Sequence, residues 1–320
     1  AALQPLVREY MLGFMPGELF GVWAALLLFV IRLDGSPRLA MWCNVVSAGA
    51  NIVLDWLMIV YWDWGLFGAA LASTLSMLIG GAIAVWYMFF AARLLRPIRL
   101  KWSRRSLLYS VRNIGYQCTI GLSALMGECT MAVLALVGNY VFGTYMGDAG
   151  IGAFGIACYY TPFVFMIGNA VAQSAQPIVS FNYGSGDSSR VHSTLRVALL
   201  AALGCGATVS AAFVLLPREL VELFIVSSEA AFPLAVKGFP LIALSFVFFI
   251  VNLTCIGYFQ SIERVRPAMI FALLRGLLLF VPSFVVMPMA FGDTGIWLAL
   301  AVSEMLTTAC IVGYMTIRTS

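Results

Sequence analysis

The stretch "GLFGAALASTLSMLIGGAIAVWYM" (65–88) runs for 24 residues without Asp, Glu, Lys, Arg or His. An α-helix needs about 20 consecutive, mostly apolar residues to cross the hydrocarbon core of a bilayer. The whole chain shares this character, because 62% of its residues are hydrophobic and 10% are charged. A soluble domain carries about 25% charged residues. The sequence therefore predicts an all-α protein, a polytopic bundle of membrane helices.

Nine segments of the chain are long and apolar enough to span a membrane. They are 11–31, 38–60, 66–92, 113–141, 153–177, 194–216, 232–256, 267–289 and 294–316. Turn-forming and charged residues separate them. We interpret 1–92, with three spans, as one domain and 113–320, with six spans, as another. The basic segment 93–112 links the two.

The basic residues lie unevenly on the two sides of such a bundle. Alternate loops place fourteen of the 18 Lys and Arg residues on one side and three on the other. The fourteen are Arg32, Arg38, Arg93, Arg96, Arg99, Lys101, Arg104, Arg105, Arg112, Arg190, Arg196, Arg264, Arg266 and Arg318. Loops rich in Lys and Arg stay in the cytoplasm. We therefore expect the 93–112 loop and the C-terminus to be cytoplasmic, and the net positive charge requires no nucleic-acid partner.

The opening stretch recurs near the C-terminus as "GDTGIWLALAVSEMLTTACIVGYM" (292–315). The positions that recur include Gly65, Gly68, Leu71, Ala72, Ser76, Ala82, Tyr87 and Met88. The repeat relates the third span to the ninth, so its unit is six spans repeated in parallel, a plan common among transporters. On this plan we expect three further spans before residue 1 and twelve spans in the intact protein.

Motifs for enzymatic chemistry do not occur in the sequence. It contains no G-x-x-x-x-G-K-[ST] loop for ATP, no H-E-x-x-H and no G-x-S-x-G. One histidine and seven cysteines are present, without the spacing of a metal site. We therefore expect neither an enzyme nor a bound metal or cofactor.

Ionisable side chains inside the predicted spans are the candidates for function, because lipid cannot solvate them. They are Glu18, Asp55, Glu128, Arg275 and Glu304. Asn51 precedes Asp55 by one helical turn and lies on the same face. A carboxylate beside an amide can hold a proton or a Na⁺ ion. Arg275 could instead reach the cytoplasmic interface or pair with an acid. Glu304 could equally be a hydrogen-bonding residue in helix packing or a residue of a binding site.

Several segments resemble the multidrug and toxic compound extrusion (MATE) transporters. The most specific are "NIVLD" (51–55) and "QPIVSFNYGSG" (176–186), and "RLDGSPRLAM" (32–41) and "GYFQSIERVRPAM" (257–269) follow the same order. The likeness extends along the whole chain and is greater to the DinF-like bacterial branch than to the NorM-like branch. It implies a twelve-helix antiporter of two lobes in the bacterial inner membrane, lacking here the first three helices.

The resemblance also implies roles for particular residues. Asn51 and Asp55 match a cation site, together with a hydroxyl group that matches Ser73 or Thr74, while the acid that completes this site lies in a family span absent from the chain. Glu128 matches an acid of the NorM-like branch, but its partner span, 232–256, holds no acid. Glu128 is then expected to meet the cationic substrate. Further candidates for substrate binding are Glu304, Arg275 and Asn252.

The expected function is secondary antiport by a monomer in the lipid bilayer. It would export lipophilic cationic drugs or metabolites in exchange for H⁺ or Na⁺. One alternative is a flippase for lipid-linked saccharides, which would be expected to have a more cationic cavity for phosphates. Another is a scaffold or receptor that transports nothing, which predicts no flux in response to an ion gradient.

Overall fold

A computed structural model describes residues 4–95 and 103–319. These residues form helices and turns, and the chain divides into two compact units, Ala1–Trp102 and Ser103–Ser320. Within the described residues, seven continuous helical stretches are long and apolar enough to cross a membrane. The predicted class, a polytopic bundle of membrane helices, is confirmed.

The first unit contains three long helices. They are α1 (Gln4–Leu33), α2 (Pro37–Asp55), which continues into a π-helical segment (Trp56–Tyr61), and α3 (Gly65–Phe90). Each coincides with one of the first three predicted spans. Pro37 occupies the first turn of α2, where the missing N–H removes no helical hydrogen bond.

Small residues bring the helices of the first unit close together. A Cβ atom on Gly17 of α1 would collide with Thr74 of α3. The Ser47 hydroxyl of α2 donates a 2.8 Å hydrogen bond to the carbonyl oxygen of Ser76 on α3. In a membrane, where lipid is as apolar as a side chain, such close approach and hydrogen bonding hold helices together.

The second unit contains six helices and a second π-helical segment. They are α4 (Arg104–Gly184), α5 (Ser188–Leu215), α6 (Pro217–Glu222), α7 (Ala231–Ser261), α8 (Val265–Leu273), the π-helical segment (Leu274–Leu278) and α9 (Phe280–Thr319).

Helix α4 begins earlier than the sequence predicted. The Ser103 hydroxyl accepts a 3.1 Å hydrogen bond from the backbone N–H of Ser106 and so caps the helix. Residues 104–112, predicted as part of the basic linker, are therefore helical. The predicted linker also includes Arg96, Arg99 and Lys101, which lie outside the described residues.

Two helical stretches reverse direction at a glycine. The 81 residues of α4 would extend about 120 Å as one straight helix, four times the bilayer core. Gly147 breaks α4 with φ 65° and ψ −157°, and the rings of Phe142 and Phe154 stack 4.6 Å apart across the reversal. Gly292 breaks α9 in the same way with φ 57°. Dividing the seven long apolar stretches at these two glycines gives nine segments in the described residues, which is the predicted number of spans.

The repeated segments of the two units share unusual backbone conformations. Gly65 and Gly292, which correspond in the repeat, both have positive φ angles, 53° and 57°. Gly35 and Glu263, at matching turns, have φ angles of 82° and 58°. A non-glycine residue rarely adopts this conformation. The same turn geometry is therefore retained at Glu263 although that position lacks the glycine that favours it.

Candidate functional site

In the first unit, Asp55 lies where α2 changes from α-helical to π-helical geometry. It is the last residue of α2, and the π-helical segment starts at Trp56. Short π-helical segments inside helices occur frequently at functional sites. The Asp55 side chain is half-buried, and no hydrogen bond or ion pair joins its carboxylate to another residue that the structure describes. The Asp55 carboxylate can therefore still accept hydrogen bonds or bind a cation, inside a helical stretch (Pro37–Tyr61) that is long and apolar enough to cross a membrane.

Asn51, on the same face of α2 as Asp55, contacts α3. Its side-chain amide lies one turn before Asp55 and is 3.5 Å from the Ser73 hydroxyl, within range of a weak hydrogen bond. The Asn51 and Ser73 side chains are both half-buried. The structure thus brings Asn51 and Ser73 together, on the helices that also carry Asp55 and Thr74.

The two hydroxyl candidates on α3 face different helices. Ser73 faces α2, through Asn51. The Thr74 side chain is buried and donates a 2.8 Å hydrogen bond to the carbonyl oxygen of Gly13 on α1. The sequence left Ser73 and Thr74 as alternatives, and the contact with Asn51 favours Ser73 as the group beside the carboxylate. Thr74 instead links α3 to α1 in helix packing.

In the second unit, three candidates form one buried cluster. The Arg275 Nε donates to the Glu304 Oε1 at 2.8 Å, and each side chain is 1% exposed. The Asn252 amide donates to the Glu304 Oε2 at 2.7 Å and to the Glu304 carbonyl oxygen at 3.0 Å. The Thr308 hydroxyl donates to the Asn252 Oδ1 at 2.8 Å. The cluster joins α7, the second π-helical segment and α9.

The Arg275 guanidinium also packs against an aromatic ring, and two of its nitrogen atoms lack hydrogen-bond partners among the described residues. Its central carbon lies 3.8 Å from the centroid of the Phe249 ring, a cation–π contact. Its Nη1 and Nη2 atoms are buried and find no hydrogen-bond partner among the described residues. Next to it, Gly276 allows Thr130 of α4 to approach where a Cβ atom would collide. Arg275 is thus enclosed by α4, α7 and α9 and does not extend to an interface.

Glu128, the other acid candidate of this unit, is not among the hydrogen-bond partners of this cluster in the described residues. It is exposed at the surface of the second unit, and no described residue forms an ion pair with it. Glu304 is saturated by Arg275 and Asn252, whereas the Glu128 carboxylate is open. Of the two acids, only Glu128 has the exposure that contact with a ligand requires in this conformation.

Asp34, in the turn between α1 and α2, has a role that the sequence pattern did not predict. Its buried carboxylate accepts hydrogen bonds from the backbone N–H groups of Arg93, Leu94 and Leu95 at 2.6–2.9 Å, and from the Tyr87 hydroxyl at 2.7 Å. The Arg93 backbone N–H, with the Tyr87 hydroxyl and the other two amides, holds the pKa of the Asp34 carboxyl well below its ordinary value. The only signal in the sequence was an acid in the "RLDGSPR" turn.

Comparison with known proteins places the chain in a family. The MatE family model matches residues 124–285, half of the chain. The chain is 25% identical over 293 residues to the multidrug export protein MepA of Staphylococcus saprophyticus, covering 89% of the chain and 61% of that protein. It is 26% identical over 299 residues to the probable multidrug resistance protein NorM of Rhizobium meliloti, covering 87% of the chain and 62% of that protein.

Solved structures agree with this fold. A MOP superfamily transporter from Pyrococcus furiosus superposes with a TM-score of 0.85 at 20% identity, over 97% of this chain and 69% of that one. A multidrug resistance MATE family transporter in an outward-facing conformation superposes with a TM-score of 0.86 at 21% identity, over 97% of this chain and 68% of that one. The chain spans about three fifths of the length of the curated relatives named above. The resemblance to the MATE transporters is confirmed, and the chain belongs to the MatE family.

Proposed function

We propose that this chain carries the coupling and substrate-binding groups of a secondary active antiporter, which exports lipophilic cationic small molecules in exchange for H⁺ or Na⁺. One observation carries the proposal: the half-buried Asp55 carboxylate, with Asn51 on its own face and Ser73 on the next helix, has no cationic partner among the described residues. The names of the relatives, multidrug export and multidrug resistance proteins, support the same class of activity.

Asp55 would change charge during each transport cycle. A carboxylate at membrane depth is costly while it is ionised, so binding of a proton or of Na⁺ stabilises it. For Na⁺, the oxygens of Asp55, Asn51 and Ser73 are ligands of the hard type that such an ion prefers. A cation that binds one conformation better than another shifts the equilibrium between them. Inward movement of the cation would in this way be coupled to outward movement of the substrate.

In the second unit, we propose Glu128 as the group that attracts the cationic substrate. Its carboxylate is exposed and forms no ion pair with a described residue. Asn252, Arg275 and Glu304 would support the structure and would not meet the substrate directly, because their mutual hydrogen bonds are already formed in a region closed to solvent. Their proposed role is to fix α7, the second π-helical segment and α9 relative to one another around the substrate path.

We also propose the setting in which this transport takes place. The charge bias of the loops supports an orientation with the 93–112 loop and the C-terminus in the cytoplasm. The bacterial sources of the relatives support a bacterial inner membrane. The function is transport by a monomer surrounded by lipid, with small organic cations as partners and without nucleic acid or a bound cofactor. The coupling ion is H⁺ or Na⁺.

Transport by the protein reconstituted in vesicles tests the proposal. We expect an imposed pH or Na⁺ gradient to drive movement of a fluorescent lipophilic cation, and Asp55→Asn to abolish that movement while the protein stays folded. Asp63→Asn is the matched control. Asp63 lies in the turn before α3 with φ 55°, a conformation that Asn tolerates. Full gradient-driven movement in Asp55→Asn would show that Asp55 does not couple the ion.

A further inference from the structure

A polar pocket lies at one end of the second unit, where α4 and α7 end and α5 and α8 begin. Its volume is about 510 Å³. Its polar lining consists of Tyr183, Ser188, His192, Tyr258, Arg264 and Tyr314. On the proposed topology this end faces the cytoplasm, at the level of the lipid headgroups. The lining is thus rich in hydroxyl groups and contains a permanent positive charge.

The charges around this pocket favour an anion. Arg264 is exposed and forms no ion pair with a described carboxylate. Two acids lie nearby: Asp187, the N-cap residue of α5, is 3.4 Å from Arg190, and Glu263 faces the Tyr116 hydroxyl. Arg266, which lines the adjoining groove together with Glu263, offsets the charge of that acid. The Arg264 guanidinium therefore remains available to a ligand, and guanidinium groups match the geometry of phosphate oxygens.

An apolar groove continues from the pocket along α8 and α9. It has a volume of about 860 Å³ and shares Arg264 and Tyr314 with the polar pocket. Ile270, Cys310 and Ile317 line it, and all three are exposed. Exposed apolar side chains on a membrane-spanning helix are positions that lipid chains can cover. A polar, positively charged pocket thus opens directly into an apolar groove.

We propose that the pocket and the groove together bind one anionic phospholipid. Its phosphate would lie at Arg264 with the tyrosine hydroxyls around it, and one acyl chain would follow the groove between α8 and α9. Basic pockets between helices on the cytoplasmic side of a membrane are sites of this kind. The charge of Arg264 selects an anionic over a zwitterionic headgroup, and the groove selects a lipid over free phosphate. The bound lipid joins the start of α5 to the α7–α8 turn.

Native mass spectrometry of the detergent-solubilised protein tests whether the site prefers an anionic headgroup. With equal amounts of phosphatidylglycerol and phosphatidylcholine present, we expect preferential retention of phosphatidylglycerol. Arg264→Gln should weaken that retention roughly fivefold, the factor that corresponds to about 1 kcal/mol for one basic residue near an anionic surface. Arg218→Gln, in α6 beyond the other end of α5, is the control and should leave retention unchanged. Equal retention of the two lipids, or no effect of Arg264→Gln, would overturn the proposal.

The position of the acyl chain is tested by photolabelling of the unsubstituted protein, so this result does not depend on the folding of a variant. A phosphatidylglycerol with a photoreactive group in its acyl chain should label the peptides that contain Ile270, Cys310 or Ile317. Inorganic phosphate should raise the melting temperature less than phosphatidylglycerol does. Labelling confined to other helices, or equal stabilisation by phosphate alone, would show that the site does not hold a lipid.

Discussion

Arg275 and Glu304 form a buried ion pair, with Arg275 Nε 2.8 Å from Glu304 Oε1 and each side chain 1% exposed. Removal of one member of such a pair leaves the other charge buried without compensation, which costs far more than the intact pair contributes. Because Asn252 also donates to Glu304, three membrane-spanning stretches depend on this one carboxylate. The pair should therefore be essential to the packing of the second unit.

We expect Glu304→Gln to destabilise the protein by roughly 3–5 kcal/mol, the range for breaking a buried pair. Thermal unfolding in detergent measures this change. Glu222→Gln is the matched control, because it breaks the exposed Arg218–Glu222 pair and should cost less than about 1 kcal/mol. Replacing both Arg275 and Glu304 by Met should recover much of the loss. If Glu304→Gln unfolds at the same temperature as Glu222→Gln, the pair does not stabilise the fold.

Ser73→Ala and Thr74→Val should have opposite phenotypes although the two residues are neighbours. Ser73→Ala removes the hydroxyl beside Asn51 and should reduce gradient-driven transport severalfold with little change in melting temperature. Thr74→Val removes the hydrogen bond to the Gly13 carbonyl oxygen and should cost about 1 kcal/mol of stability while transport by the folded protein persists. Transport and thermal unfolding are measured on both variants. The reverse pattern would assign the cation site to Thr74.

Asp34 should make the stability of the protein dependent on acidic pH. Because its pKa in the folded protein lies below the ordinary value of about 3.9, the ionised carboxylate stabilises the fold above that pH, and this contribution is lost as the pH falls below it. Asp34→Asn should therefore lower the melting temperature at pH 7, and the difference from the unsubstituted protein should narrow toward pH 3. Asp63→Asn serves as the control. An unchanged melting temperature for Asp34→Asn at pH 7 would contradict the role of this carboxylate.

Two glycines of α5 should respond differently to alanine. A Cβ atom on Gly206 would lie 2.7 Å from the backbone Cα of Val247, which cannot move aside as a side-chain tip can. Gly206→Ala should cost about 1–3 kcal/mol through overpacking against α7. A Cβ atom on Gly204 would meet no described atom within 4 Å, so Gly204→Ala should be neutral or stabilising by up to about 1 kcal/mol. Thermal unfolding compares them, and equal stabilities would mean that α5 and α7 pack less closely than described.

The candidate site of the first unit could largely be predicted from the sequence, because its key relationship is local. Asn51 and Asp55 are four residues apart, and helical geometry alone places them on one face. The sequence could not show which of Ser73 and Thr74 lies beside Asn51. Adjacent residues on a helix point about 100° apart, so the two side chains face different neighbouring helices. The choice between them required the positions of α1 and α2 around α3, which only the contacts with Gly13 and Asn51 define.

The sequence alone determined the helical membrane class, the nine apolar segments and the repeated turn positions, since bilayer thickness and the helical rise restrict such a composition to few solutions. Only the tertiary structure decided which buried charges have partners. Arg275 and Glu304 are 29 residues apart, and the reversal at Gly292 brings them together. Asp34 contacts residues some 60 positions away. A sequence pattern indicates that a buried charge needs a partner, but the partner is chosen by the packing of helices distant in the chain.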